Sequence, residues 1–381
     1  MTRLYLIRHA EAEGNLYRRI HGDYDSLITD NGYRQISALT QRFASIPVNA
    51  VYSSDLFRTM TTAGAVYRFK GLELRTDRRL REVHMGIWED RPWGEVARMD
   101  GEGLRRHNGM DPDWTVEGGE TFQLLRARME EVLREIAARH EGETVAVFSH
   151  GTAIRNALAV FRGMTIPESA ALGHSDNTAV SLLEFDEDEV RVVFENDSSH
   201  LTEEISTLAR QHWWRAGGGS AVDHNLWFRP LDVFGEEAAF YREAREEAWH
   251  VVHPDGVTCD TGGFLAQARQ AAQADPRMVV CAMLGEERAG ILELRPGGHI
   301  AFYYLKPAYR GQGLGIQLMG QAVSCFRPRG VERLTLCCSP ENVGAQRFYR
   351  THGFRRTGTA PGVVSSLDVL EKDISYQERD Q

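Results

Sequence analysis

Short apolar runs alternate with amphipathic stretches from Thr2 to about His212, and that alternation restricts this part of the chain to few folds. Leu4–Ile7, Ala50–Tyr52, Thr144–Phe148 and Val180–Phe185 are bounded by polar turn residues and read as strands. Between them, Asp30–Phe43, Leu56–Val66, Phe122–His140 and Gly151–Val160 read as helices. This order predicts an α/β domain in three layers, a largely parallel sheet with helices on both faces.

The pattern stops at Trp213-Trp214-Arg215-Ala216-Gly217-Gly218-Gly219-Ser220, where three consecutive glycines break helix and strand alike. A linker is therefore expected over 213–225, between domains at 1–212 and 226–381. Beyond it, Leu226–Leu231 reads as a strand, with helices at Gly235–Trp249 and Gly262–Ala274. Strands follow at Met278–Leu284, Arg288–Leu294 and His299–Leu305, separated by turn residues, so an antiparallel meander is expected. A helix over Gly313–Cys325, a strand Arg333–Cys337, a helix from about Val343 and a last pair of strands complete a mixed-sheet α/β domain.

A chain of 381 residues suits two domains. The net charge of −10 argues against general affinity for nucleic acid or an anionic membrane. Leu4–Ile7 is too short for a signal peptide, and no run reaches the ~20 apolar residues of a membrane span, so a cytoplasmic protein is expected. Cys259, Cys281, Cys325, Cys337 and Cys338 are odd in number and lack C-x-x-C spacing, which favours reduced, structural thiols over disulfides or zinc.

Arg8-His9-Ala10-Glu11 follows the first strand, which places His9 at a strand's carboxyl end, where open α/β sheets bind ligands. Ser149-His150-Gly151 follows a second such strand, so the two histidines can share one pocket. Arg58 can add a cation and Glu82 an acid.

These pieces resemble the histidine phosphatase superfamily, in the branch of the phosphoglycerate mutases and small-molecule phosphatases, over roughly residues 1 to 200. The resemblance also rests on Asn15, Leu27-x-Thr29-x-x-Gly32-x-x-Gln35, Ser53-Ser54-x-Leu56-x-Arg58-Thr59, Glu82-x-x-x-Gly86-x-Trp88 and Gly118-Gly119-Glu120-Thr121. It implies a phosphoglycerate mutase-like fold and a metal-independent reaction through phosphohistidine at His9. Arg8, Arg58 and His150 would bind the phosphoryl oxygens. Glu82 would protonate the leaving oxygen and then activate water. Asn15 and the backbone around Gly22 and Thr121 would add phosphate contacts. Where relatives carry a tryptophan turn, this chain has Tyr17-Arg18-Arg19-Ile20-His21-Gly22. Arg18, Arg19 and His21 there could meet a second anionic group or form a solvated basic loop. The short stretch from Glu82 to Gly118 favours a phosphatase over a mutase.

Arg310-Gly311-Gln312-Gly313-Leu314-Gly315 lies between a strand and a helix, an arrangement that offers N–H groups and a positive dipole end to an anion. A dinucleotide site would need a parallel βαβ unit, and a meander precedes this loop instead. With Asn342-Val343-Gly344-Ala345-Gln346-Arg347-Phe348-Tyr349 and His352-Gly353-Phe354, the loop looks like that of the GNAT family of N-acetyltransferases, over about 226–371.

That resemblance implies an acetyl-CoA site built from Leu305, Arg310, Gly311, Gln312, Gly313, Leu314 and Gly315. Asn342 would orient the cofactor arm, and Tyr349 would protonate the departing thiolate. Relatives often carry an acid on the preceding strand, which here reads Ala301-Phe302-Tyr303-Tyr304-Leu305; the nearest carboxylate by sequence is Glu293. The expected whole is a bifunctional enzyme acting on a small phosphorylated substrate and a small-molecule amine. Two alternatives stay open: a second domain that senses acetyl-CoA and regulates a phosphatase, and mutase chemistry in the first domain.

Overall fold

The computed structural model describes residues 1–187, 189–211 and 224–377. They form two compact units, one within 1–91 and 96–211, the other within 224–377 together with 92–95. Of the expected linker, residues 213–223 lie outside the described residues.

The first unit has strands β1 (Thr2–Arg8), β2 (Ala50–Ser53), β3 (Leu74–Thr76), β4 (Thr144–Ser149), β5 (Val180–Asp186) and β6 (Glu189–Asp197). Their order is β3-β2-β4-β1-β5-β6. The first four are mutually parallel, and β5 and β6 close that edge in antiparallel fashion. The expected parallel sheet is thus present with an antiparallel margin. Its β6 and β3 escape sequence reading because both lie at sheet edges, where β6 mixes apolar with charged residues and β3 is only three residues long.

Helices Asp30–Phe43 and Phe57–Lys70 cover one face, and Ile36, Leu39, Phe43, Ala63 and Val66 pack on Ile7, Val51, Ala146 and Phe148. Leu4, Leu6, Val145 and Val147 point the opposite way and are also wholly buried. Helix Phe122–Arg139 buries Leu125, Met129, Val132 and Leu133, and helix Gly151–Phe161 buries Ala153, Ala157 and Leu158. Apolar strands covered on both sides are the reason the runs read as uninterrupted.

The second unit is a seven-stranded sheet of β7 (Trp227–Pro230), β8 (Val279–Leu284), β9 (Glu287–Arg295), β10 (His299–Leu305), β11 (Arg333–Cys338), β12 (Arg355–Ala360) and β13 (Leu367–Asp373). The order is β12-β13-β11-β10-β9-β8-β7. Every neighbouring pair is antiparallel except β10 and β11, so the expected meander is present. Helices Ala238–His250, Thr261–Ala274, Gly315–Phe326 and Val343–Thr351 complete it. The five cysteines are free. No helix among the described residues is long and apolar enough to cross a membrane.

Candidate active sites

Parallel pairing of β1 with β4 aligns Arg8 with Ser149, so His9 and His150 leave the sheet side by side. Their rings stand 5.3 Å apart between centroids, and the His21 ring lies edge-on 5.5 Å from that of His9. His9 Nδ1 is 2.7 Å from the Ala10 carbonyl, which can only accept. The proton of a neutral ring therefore sits on Nδ1, and Nε2 keeps its lone pair. Burial, followed by the charges of Arg58, Arg8 and His21, holds His9 well below the ordinary histidine range.

Arg8 donates through Nη1 to the Ser175 carbonyl, while its buried Nε has no hydrogen-bond partner. That unused donor is what an incoming oxyanion needs. Asn15 accepts at Oδ1 from the Ala12 N–H at 3.1 Å and from Asn177 Nδ2 at 3.4 Å, which leaves its own amide N–H groups available.

Arg58 is wholly buried but heavily committed. It donates to the carbonyls of Tyr24 (2.9 Å), His21 (2.9 Å) and Gly22 (2.6 Å), and its Nε to His150 Nδ1 at 3.3 Å. His150 then carries its proton on Nε2, 2.8 Å from Ser54 Oγ, which in turn lies 2.7 Å from Thr59 Oγ1. This chain explains the Ser53-Ser54-x-Leu56-x-Arg58-Thr59 element. Arg58 and His150, expected at the phosphoryl oxygens, make these bonds within the protein.

The turn at 22–24 is gripped from its other edge. Glu89 accepts from the N–H groups of Gly22 (3.1 Å), Asp23 (2.9 Å) and Tyr24 (2.8 Å), and from Met85 at 2.8 Å. The Gly22 N–H, expected at the phosphate, is therefore turned to a carboxylate. Thr121 caps helix Phe122–Arg139, accepting from Leu124 N–H at 3.3 Å, which is the role the structure shows for it. Arg19 is buried against Asp90 at 2.8 Å, so it is not a solvated cation. His21 does join the cluster, with Nδ1 3.1 Å from Ser26 Oγ.

Glu82 reaches the start of helix Gly151–Phe161: its carboxylate accepts from Thr152 N–H and Ala153 N–H, each at 2.9 Å. Arg128 holds the chain behind it, donating to the carbonyls of Arg79, Arg81 and Glu82 while paired with Glu120. Gly86 belongs to the same element because φ is +52° and a Cβ there would stand 2.1 Å from the Glu117 carbonyl. Glu89, Asn177 and the full use of Glu11 had no sequence signal. Asn177 Nδ2 holds the His9 carbonyl at 2.9 Å, and Glu11 fastens Thr29, Asn31 and Thr207.

In the second unit β10 and β11 pair only at His299–Thr335 and Ile300–Leu336, although both strands run further. Their ends therefore part beside Leu305. The turn after β10 holds Gly311 and Gly313 at φ +75° and +77°. Among the described residues, no protein acceptor takes the N–H groups of Gly311, Gln312, Gly313 or Leu314. A parted strand pair with four unclaimed N–H groups at a helix start fits a pyrophosphate-bearing cofactor.

Around that turn, Arg310 donates to the Leu305 carbonyl at 2.8 Å and to Glu247 at 2.7 Å, so its charge is already paired. Gln312 Nε2 donates to the Ala308 carbonyl at 2.7 Å. Gly315 lets helix Val343–Thr351 approach, since a Cβ would meet Phe348 at 3.2 Å. Tyr349 is buried there, 5.9 Å from the Tyr303 ring, and burial pushes its hydroxyl far up. Asn342 Oδ1 caps the same helix, accepting from Ala345 N–H at 3.1 Å. Glu293 is fully buried between Arg245 (2.6 Å), Arg295 and Tyr241 (2.5 Å). An ion-paired carboxylate so enclosed is part of the packing.

Residues 4–198 match the histidine phosphatase superfamily (branch 1), and residues 238–354 match the acetyltransferase (GNAT) family. The chain belongs to the histidine phosphatase superfamily and carries a GNAT acetyltransferase domain behind it. It is 34% identical over 164 residues to the probable phosphoglycerate mutase GpmB of Serratia proteamaculans, covering 43% of this chain and 76% of that protein. The GpmB of Salmonella choleraesuis is also 34% identical, over 166 residues, with 43% and 76% covered. The solved structure of Bacillus stearothermophilus YhfR superposes with TM-score 0.51 and 31% identity, over 52% of this chain and 99% of that one. The protein is thus an enzyme that joins a phosphatase domain to an acetyltransferase domain.

Proposed function

We propose that the first domain hydrolyses a small phosphomonoester through phosphohistidine on His9. The observation that carries this is the His9 Nδ1 contact to the Ala10 carbonyl, which leaves Nε2 as the lone-pair nitrogen beside Arg8. Nε2 attacks phosphorus, the bond to the leaving oxygen breaks, and Glu82 supplies that oxygen's proton. Water then attacks the phosphohistidine, gives a proton to Glu82 and restores His9. Arg8 Nε and Asn15 Nδ2 meet the phosphoryl oxygens, and the charge of Arg58 acts from behind the 22–24 turn, so no metal is called for. Arg58 and His150 become direct ligands only by exchanging present partners.

The second domain's reading is transfer of an acetyl group to a small-molecule amine. Acetyl-CoA, when bound, supplies an activated thioester. The N–H groups from Gly311 to Leu314 would hold its pyrophosphate, Leu305 would flank the arm, and Tyr349 would supply a proton from Oη to the thiolate. Domain limits at 1–212 and 226–381 remain part of this reading.

The test is an assay of phosphorylated amino compounds with acetyl-CoA, reading phosphate and CoA thiol together. Release of both is expected. Phosphate release with no thiol from any amine would reduce the second domain to a sensor, and phosphoryl return to substrate in place of phosphate release would mark a mutase.

A further inference from the structure

The second domain holds a guanidinium edge that neither its packing nor its cofactor turn uses. Tyr241 and Arg245 stand one turn apart on helix Ala238–His250 and share a face. Arg245 donates from Nε to Tyr241 Oη at 2.9 Å and from Nη2 to Glu293 at 2.6 Å. Its Cζ lies 3.9 Å from the centre of the Phe302 ring and 4.4 Å from that of Phe264, contacts that fix the guanidinium plane. One edge of the fork is thus held by protein. At the other edge, Nη1 has no acceptor among the described residues. The side chain is 11% exposed, and that opening leaves Nη1 reachable from outside.

The cluster also carries one positive charge in excess. Glu293, wholly buried, pairs with Arg245 through Oε2 and with Arg295 through Oε1. Among the described residues no other carboxylate forms an ion pair with either arginine. Two guanidiniums on one enclosed carboxylate are costly unless an anion from outside meets the idle edge.

The position of that edge suits a reactant. Phe302 stands opposite Glu293 across β9 and β10, so ring and carboxylate share a face of the sheet. It lies two residues past Ile300, the last residue of β10 paired with β11. Tyr303, the next residue, points to the other face, where its ring stands 5.9 Å from that of Tyr349. Arg245 therefore sits at the parting of the strands, on the face opposite the hydroxyl read as the acid. An amine entering from the Arg245 side would reach a thioester lodged in the parting without passing Tyr349.

We propose that the free edge of Arg245 binds a carboxylate of the acceptor, so that the amine acetylated by the second domain is an amino acid and not a plain amine or polyamine. This rests on the acetyltransferase reading. The planar fork accommodates two carboxylate oxygens side by side, and Tyr241 and Glu293 hold it from behind so that little ordering is left to binding.

The experiment presents the full chain and acetyl-CoA with α-, β- and γ-amino acids, each matched with its primary amide, and reads CoA thiol. Comparing kcat/KM on the concentration of unprotonated amine removes the difference in amine basicity within a pair. A charge-assisted contact predicts that wild type favours the acid over the amide in at least one pair by about 10- to 100-fold. Arg245→Gln should bring that ratio close to one, and Glu293 keeps Arg295 in that variant, so no buried charge is orphaned. Arg245→Lys should keep part of the ratio. Acids and amides acetylated alike by wild type, or amides preferred, overturn the proposal even if no variant folds, and leave the acetyltransferase reading standing. An Arg245→Gln protein that keeps the full ratio overturns it too. No thiol from any amine, by a protein that binds acetyl-CoA in calorimetry, overturns the acetyltransferase reading itself and this proposal with it.

Discussion

Arg58 and Glu89 hold opposite edges of one turn: the guanidinium takes the carbonyls of His21, Gly22 and Tyr24, and the carboxylate takes the N–H groups of Gly22, Asp23 and Tyr24. The turn carries His21 against His9, so the two groups that clamp it shape the nucleophile's surroundings. Glu89→Ala should cost about 2–4 kcal/mol in urea unfolding, because several N–H groups lose a charged acceptor together. A loss below ~0.5 kcal/mol would show that the turn stands without the clamp.

Acidity should affect activity later than an ordinary histidine would allow. Burial and neighbouring cations depress His9, so it stays neutral as pH falls through 6.5. The acid limb of kcat/KM set by the nucleophile should lie well below the ordinary histidine value of 6.5. Arg58→Gln removes a cation from its surroundings and should move that limb upward. A limb at 6.5 in wild type that ignores Arg58 would contradict the electrostatic account.

The same depression has a consequence for folding. His9, His21 and His150 are held neutral in the native state and take protons near 6.5 when unfolded. Stability is therefore full above the unfolded value and falls on acidification below it, each enclosed histidine withholding up to ~1.4 kcal/mol per pH unit. Chemical denaturation at pH 7 and pH 5 should show the lower value at pH 5. Equal or greater stability at pH 5 would mean these rings are protonated in the fold.

Much of this was readable from the chain, for identifiable reasons. The strands β1, β2, β4 and β5 announced themselves because both faces of the sheet are covered, and His9 and His150 could be placed together because they end adjacent parallel strands. Roles were less legible than places. Arg58 reads as a phosphate ligand in its motif, and its bonds to three backbone carbonyls and to His150 carry no sequence mark; Arg19 reads either as a contact for a second anionic group or as part of a solvated basic loop, and its partner Asp90 lies 71 positions away with no pattern to link them. Glu89 escaped notice because its four partners are backbone N–H groups, which carry no sequence mark. Arg310 was paired by Glu247 from a helix far upstream.

Tyr349→Phe isolates the proposed acid of the second domain. Acetyl transfer should fall by about 10²-fold or more, the lower range for a lost general acid, while acetyl-CoA binding by calorimetry persists. An unchanged turnover would assign the proton to another group.

Glu82→Gln should slow hydrolysis most for poor leaving groups, steepening the dependence of kcat/KM on leaving-group pKa. A uniform loss across aryl and alkyl phosphates would remove Glu82 from the proton transfer.

The most direct measurement traps the protein with a phosphomonoester in acid-quenched and base-quenched single turnovers and maps the adduct by mass spectrometry. The account predicts an acid-labile, base-stable phosphoryl group on His9, absent from His9→Ala. A phosphoryl group on another residue, or turnover that persists in His9→Ala, would contradict it.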